Sequence, residues 1–134
     1  GEKLLHCDPD GARRLSAFAR VGTAADGVDR LDLSLRGGAS YVGAIEGRPD
    51  DVLGLGVAYA RNGGPFLRAK REAGVPMARS ETAMELTYRA EVGSFLVVQP
   101  DLQWIIGPGM SPQSGDTFVV GLRAHAYLEF PDRP

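Results

Sequence analysis

A two-residue alternation of apolar and polar side chains runs through most of this sequence, and it restricts the fold more tightly than any motif present. Successive side chains on a strand point to opposite sides, so alternation gives a strand two chemically distinct faces, whereas a helix would need a period near 3.6. Six segments read this way. The first covers about Arg14 to Gly22 and leads into Ala24-Ala25-Asp26-Gly27, whose Asp-Gly pair is a hairpin signal. In the second, from about Arg30 to Ala44, Leu31, Leu33, Leu35, Ala39 and Tyr41 share one face and Asp32, Ser34, Arg36, Gly38 and Ser40 the other. Glu46-Gly47-Arg48-Pro49-Asp50-Asp51 is a turn, because Pro49 removes a donor and Gly47 accepts positive φ. The third, Val52 to Arg61, sets Leu53, Leu55, Val57 and Tyr59 against a nearly bare face of Gly54, Gly56, Ala58 and Ala60.

The interval from Asn62 to Ser80 interrupts the pattern and reads as a long loop, with room for two helical turns between Phe66 and Ala73 before Gly74. A fourth strand, Glu81 to Val92, opposes Met84, Leu86, Tyr88 and Ala90 to Glu85, Thr87, Arg89 and Glu91, and Gly93-Ser94 reverses the chain. The fifth, Phe95 to Ile106, alternates Leu96, Val98, Leu102, Trp104 and Ile106 with Gln99, Asp101 and Gln103, and Pro100 predicts an irregularity in its ladder. After Gly107-Pro108-Gly109 and a polar loop through Asp116, the last strand places Phe118, Val120, Leu122, Ala124, Ala126, Leu128 and Phe130 opposite Arg123, His125, Tyr127 and Glu129. The expected fold is all-β: an antiparallel up-and-down meander of six strands.

Alternation leaves open which face meets water. A soluble barrel would turn Leu, Val and Phe inward around an apolar ligand, and a membrane barrel would turn them outward to lipid. Three features favour the membrane. The polar face is dense in charge, with Arg14, Arg20, Arg36, Arg89, Arg123, Asp32, Glu85, Asp101 and Glu129. Aromatics on the apolar face lie near strand ends (Tyr41, Tyr59, Trp104, Phe118, Phe130), as interfacial girdles require. A strand of about 10 residues tilted by about 40° rises about 25 Å, the height of the apolar band. No run of about 18 apolar residues supplies a membrane helix. Six strands are too few to close a barrel, and open edges in hydrocarbon leave backbone groups unpaired. Residues 1–134 are therefore expected to form a single partial domain whose N-terminal strands lie outside this sequence, in keeping with the lack of a signal peptide at Gly1.

With 134 residues and a formal net charge of −2, nothing argues for nucleic-acid binding. The single cysteine, Cys7, excludes an intrachain disulfide and a cysteine-based zinc cluster. His6, Cys7 and Asp8 are consecutive and point to opposite sides of an extended chain, and His125 lacks a partner at metal spacing. Glu46, Asp50 and Asp51 have the chemistry of calcium ligands, but the turn explains them equally. No nucleophile has an identifiable base, so no catalytic residue, metal or cofactor is assigned.

Several stretches resemble the carbohydrate-selective porins of the OprB family. They are Ser16-Ala17-Phe18-Ala19-Arg20-Val21-Gly22, the Gly47-Arg48-Pro49-Asp50-Asp51 turn running into Leu53-Gly54-Leu55-Gly56, Ser80 to Arg89, and Gln99-Pro100-Asp101-Leu102-Gln103 before Gly107-Pro108-Gly109. The resemblance implies the C-terminal part of a barrel of roughly 16 to 18 strands, in the outer membrane of a Gram-negative bacterium, passing sugars by passive diffusion. The implied partners are small sugars, outer-membrane lipid, the remaining barrel strands and further copies of the chain. On the face expected to line the pore, Arg20, Arg36, Arg89 and Arg123 offer fixed guanidinium donors to sugar hydroxyls. Glu85, Gln99, Asp101 and Gln103 share that face. The plainer expectation is that the arginines pair with Glu85, Asp32 and Glu129 to neutralise a polar wall.

Overall fold

The structure is a computed structural model that describes residues 2–7, 13–25 and 29–127. Its elements are β1 (Glu2–Cys7), β2 (Arg14–Thr23), β3 (Leu31–Val42), β4 (Val52–Asn62), α1 (Gly64–Glu72), β5 (Ser80–Val92), β6 (Leu96–Ile106), a 3₁₀ turn at Pro108–Met110, and β7 (Thr117–Ala126). The strands form one sheet in sequence order, each antiparallel to the next. The six segments of alternation are β2 to β7. A further strand, β1, precedes them; its register shifts between Leu4 and His6, so the period-two signal breaks within it. Asp8, Asp26, Gly27, Leu128, Glu129, Phe130 and the last four residues lie outside the described residues, as do the side chains of His6 and Cys7.

Register carries the alternation across the sheet. One row on the apolar face runs Ala17, Ala39, Leu55, Leu86, Leu102, Val120 through five successive strand pairs. One residue along each strand, the opposite face carries Ser16, Ser40, Gly54, Thr87, Asp101 and Gly121. Pro100 produces the expected irregularity in the ladder. Thr87 pairs with Asp101 and Ala90 with Val98, and the rungs between them are missing. A residue without an N–H interrupts the ladder there, and no residue is inserted to shift it.

Among the described residues nothing packs on the apolar face. Val97 and Met110 are the buried hydrophobic residues among those described, whereas Leu55, Leu86, Leu102, Phe118, Val120 and Leu122 are all exposed, Val120 to 80%. Trp104 and Phe118 stack on this face with centroids 5.6 Å apart. A greasy surface of this extent marks contact with another protein or a membrane rather than with water. Among the described residues no helix is long and apolar enough to cross a membrane.

The sheet has two unlike ends. One carries the tight reversal after Val92, where Gly93 takes φ +67°, and the turn between Val42 and Val52. The other carries residues 24–25, 29–30, 63–79 and 107–116, including α1. Pro65 opens α1, Lys70 and Arg71 sit in its last turn where they complement the helix dipole, and the chain turns at Gly74 with φ +73°. The loop expected over Asn62 to Ser80 thus holds a helix. It is tied to the sheet by Asn62, which is almost wholly buried. The Asn62 side chain accepts from Arg30 Nε at 3.1 Å and donates to the Ala78 carbonyl at 2.9 Å. Arg30 and Lys70 also lie over the Phe66 ring, 5.4 and 5.6 Å from its centroid.

Candidate functional site

The polar face holds the chemistry, and register decides which of its residues meet. Two adjacent rows cross the middle of the sheet. The first runs Arg20, Arg36, Ala58, Ala83; the second runs Phe18, Gly38, Gly56, Glu85, Gln103. Because β4 contributes only glycine and alanine here, a hollow of about 560 Å³ opens over its centre, bordered by Phe18, Arg20, Arg36, Glu85 and Gln103. Four of the eight residues expected on the pore-lining face therefore gather at one place: Arg20, Arg36, Glu85 and Gln103.

Arg20 and Arg36 are direct cross-strand partners. Like charges in that arrangement destabilise a sheet by about 0.2–1 kcal/mol. No carboxylate lies within ion-pair distance of either arginine among the described residues. The expected neutralising partners are engaged differently: Asp32 takes Arg61, Nε to Oδ1 at 2.8 Å. Glu85 makes no ion pair within the described residues, and Glu129 lies outside them. Two exposed guanidinium groups thus keep their ten N–H donors available over a bare floor.

The other four expected residues lie nearer the turn end. Arg89 is bound by Glu91, Nη1 to Oε1 at 2.7 Å. Gln99 and Arg123 are opposite each other on β6 and β7. Asp101 is buried, with its carboxylate in the space above Gly121 that any side chain there would fill. Among the described residues no group of three or more His, Cys, Asp or Glu gathers to hold a metal.

Two features escaped the sequence reading. Phe18 stands on the polar face between Ser16 and Arg20; its place in the alternation was the available signal, masked by its being apolar. The second is a cluster at the turn end. Asp51 accepts from Arg48 Nε and Tyr88 Oη at one oxygen, and from the Glu91 backbone N–H at 2.9 Å and Arg48 Nη2 at 3.3 Å at the other. Arg48 Nη2 also reaches the Glu91 carbonyl at 3.2 Å. The Arg48 guanidinium, helped by Tyr88 and the Glu91 amide, pulls the Asp51 carboxyl down to about 2 despite its burial. The carboxylates weighed as calcium ligands contribute instead one structural anion, Asp51, that pins the β3–β4 turn to β5.

Comparison with known proteins agrees with this geometry. Residues 3–128 match the sequence profile described as carbohydrate-selective porin, OprB family. Porin B of Pseudomonas aeruginosa is 28% identical, over 85% of this chain and 28% of its own length. The high-pH structure of Pseudomonas putida OprB superposes with a TM-score of 0.82 at 27% identity, covering 93% of this chain and 33% of that one. The chain thus spans about a third or less of the proteins it matches. Members of this family are outer-membrane channels of Gram-negative bacteria and not enzymes. An antiparallel meander with one greasy and one charged face, matched along nearly its whole length, makes this chain a member of the carbohydrate-selective porins of the OprB family.

Proposed function

We propose that these seven strands are consecutive C-terminal strands of a larger barrel, that their Leu/Val/aromatic face meets acyl chains, and that their polar face borders a water-filled passage for sugars. Edge chemistry supports the larger barrel. Among the described residues β1 and β7 each pair on one side only, and an unpaired backbone group in hydrocarbon costs several kcal/mol. Further strands must therefore continue the ladder on both sides. The helix-bearing end, with its longer connections, corresponds to the extracellular side, since such barrels keep their short turns in the periplasm.

The observation that carries the reading is the Arg20–Arg36 rung. It sets two uncompensated cations side by side over a floor of small residues, on the face opposite an open apolar surface. Folding gains nothing from that arrangement, but a passage does. The guanidinium groups replace part of the hydration shell of a polyhydroxylated solute, and their field favours anions over cations. Binding must stay weak, because a conducting site has to release what it admits. Nothing observed favours a soluble barrel around an apolar ligand, whose Leu/Val face would have to be wrapped inward.

The test uses the complete barrel that contains this chain, reconstituted in liposomes and planar bilayers. Replacing both Arg20 and Arg36 by alanine is expected to change the rate of sugar-driven swelling and to shift ion preference toward cations. Unchanged swelling and unchanged selectivity would reduce both residues to wall.

A further inference from the structure

Phe18 departs from the chemistry of the wall it stands on. Its neighbours on that face of β2 are Ser16 and Arg20, and its ring is 42% exposed beside the central hollow. The other described strand aromatics, Tyr41, Tyr59, Tyr88, Trp104 and Phe118, follow the alternation onto the apolar face.

The surroundings of the ring are cleared for it. Gly38 is its cross-strand partner, and a Cβ there would come within 2.8 and 3.2 Å of two ring carbons and 2.7 Å of the Leu55 carbonyl oxygen. The ring therefore occupies the room that a side chain on β3 would take. One strand further, a Cβ on Gly56 would meet only the Glu85 Cβ, at 3.9 Å, so the floor beside the phenyl group stays open. Arg20 and Arg36 flank this floor on one side, and Glu85 and Gln103 continue beyond it.

We propose that Phe18 is a stacking platform for the C–H face of a pyranose ring, with the Arg20 and Arg36 guanidinium groups and the Gln103 amide receiving the hydroxyls at its rim. This rests on the carbohydrate-porin reading and deepens it. A pyranose has two chemistries: hydroxyls around its edge and a patch of C–H bonds on its face. The electron-rich face of a phenyl ring attracts such C–H groups, and a wall of charges alone would not recognise them. A few oriented polar groups around an apolar contact are how small-molecule sites combine affinity with orientation. Phe18 carries no charge and no donor, so its contribution is selective for the ring sugar over the ions that share the passage.

The experiment follows ion current through the complete barrel in a planar bilayer as D-glucose is added, with sorbitol, the open-chain counterpart that lacks a ring face, as control. Phe18→Leu keeps an apolar side chain over Gly38. It is expected to raise the glucose concentration that halves the current by about threefold to tenfold, the loss of one aromatic contact, while the response to sorbitol stays at its wild-type value, each measured relative to the variant's own sugar-free current. Phe18→Trp is expected to keep or lower the wild-type glucose concentration. Wild-type glucose block in Phe18→Leu, or an equal loss for glucose and sorbitol, would overturn the platform and leave the sugar-porin reading standing. Wild-type barrels that neither respond to glucose current block nor swell in glucose would overturn both.

Discussion

At the turn end of the sheet, Asp51 is surrounded by Arg48, Tyr88 and the Glu91 amide, so the Arg48 and Asp51 charges are paired and the carboxylate is out of water. At mid-sheet, Arg20 and Arg36 face each other, exposed, with no carboxylate among the described residues to balance them. Both regions belong to one sheet of a single family fold, so fold alone does not explain the contrast. Folding selects the first arrangement, since a buried charge must be paired and hydrogen-bonded. Folding opposes the second, since like charges on one rung repel. Charges that the fold satisfies hold the structure together; charges that it leaves unsatisfied are the ones proposed above to meet a solute.

The sharpest way to break this contrast is to put charge on the wrong face. Leu86 sits in the middle row of the apolar face, 43% exposed. Leu86→Arg is expected to destabilise the complete barrel by about 2–4 kcal/mol, the cost of a cation near the bilayer midplane. Ala83→Arg, on the polar face, should change stability far less. Urea titration of the barrel folded in lipid vesicles measures both. Equal destabilisation by the two would show that the faces are not assigned as proposed.

Next in size is the turn-end cluster. Asp51→Ala leaves Arg48 and the Glu91 N–H without their acceptor and is expected to lower unfolding stability by about 1–3 kcal/mol. The sign with pH follows from Asp51 having its carboxyl at about 2 in the folded chain, against 3.8 for the ordinary group. Its contribution is fully present above pH 3.8 and is lost as pH falls from there through about 2, because the unfolded chain binds the proton first. An acid titration of wild type against Asp51→Asn isolates this window. If the two lose stability in parallel, other carboxylates dominate and the cluster is weaker than its geometry suggests.

The reverse result is expected at mid-sheet. Arg36→Ala removes one member of a repelling rung and should leave stability unchanged or raise it by up to about 1 kcal/mol, while altering ion selectivity. A loss of stability would mean that Arg36 is structurally paired after all, and the contrast between the two regions would fail.

These two regions also differ in how far the sequence disclosed them. Period two identified β2 to β6 to within a residue or two, together with the start of β7, whose expected end at Phe130 lies outside the described residues, and assigned all eight pore-lining candidates to one face, because alternation is imposed by pleat geometry and needs no knowledge of partners. It missed β1, where Leu4-Leu5 and a shifted register spoil the period. Its two helical turns from Phe66 to Ala73 correspond to α1, which starts two residues earlier at Gly64, with Pro65 in its first turn, and ends at Glu72 before Gly74. Which polar residues gather was beyond it. Arg20 meets Arg36, and Phe18 meets Gly38, only once strand register is known, and register is a property of the sheet. In the sequence Asp51 belongs to a turn and nothing more, because its partner Tyr88 lies on another strand.

The smallest expected effect tests the bare floor. Gly38 and Gly56 are neighbours on one rung and look equivalent in sequence, yet their surroundings differ. A Cβ on Gly38 would stand 2.7 Å from a backbone carbonyl, which cannot swing aside, and 2.8 Å from the Phe18 ring. Gly38→Ala should therefore cost about 1–3 kcal/mol through overpacking and move Phe18. A Cβ on Gly56 makes ordinary contact at 3.9 Å, so Gly56→Ala should fold with stability within about 0.5 kcal/mol of wild type. Its methyl group projects into the hollow between Arg36 and Glu85, so a slight fall in single-channel conductance is the expected readout. If Gly56→Ala instead destabilised the barrel as much as Gly38→Ala, the glycines would be needed for close backbone packing rather than to keep a passage open.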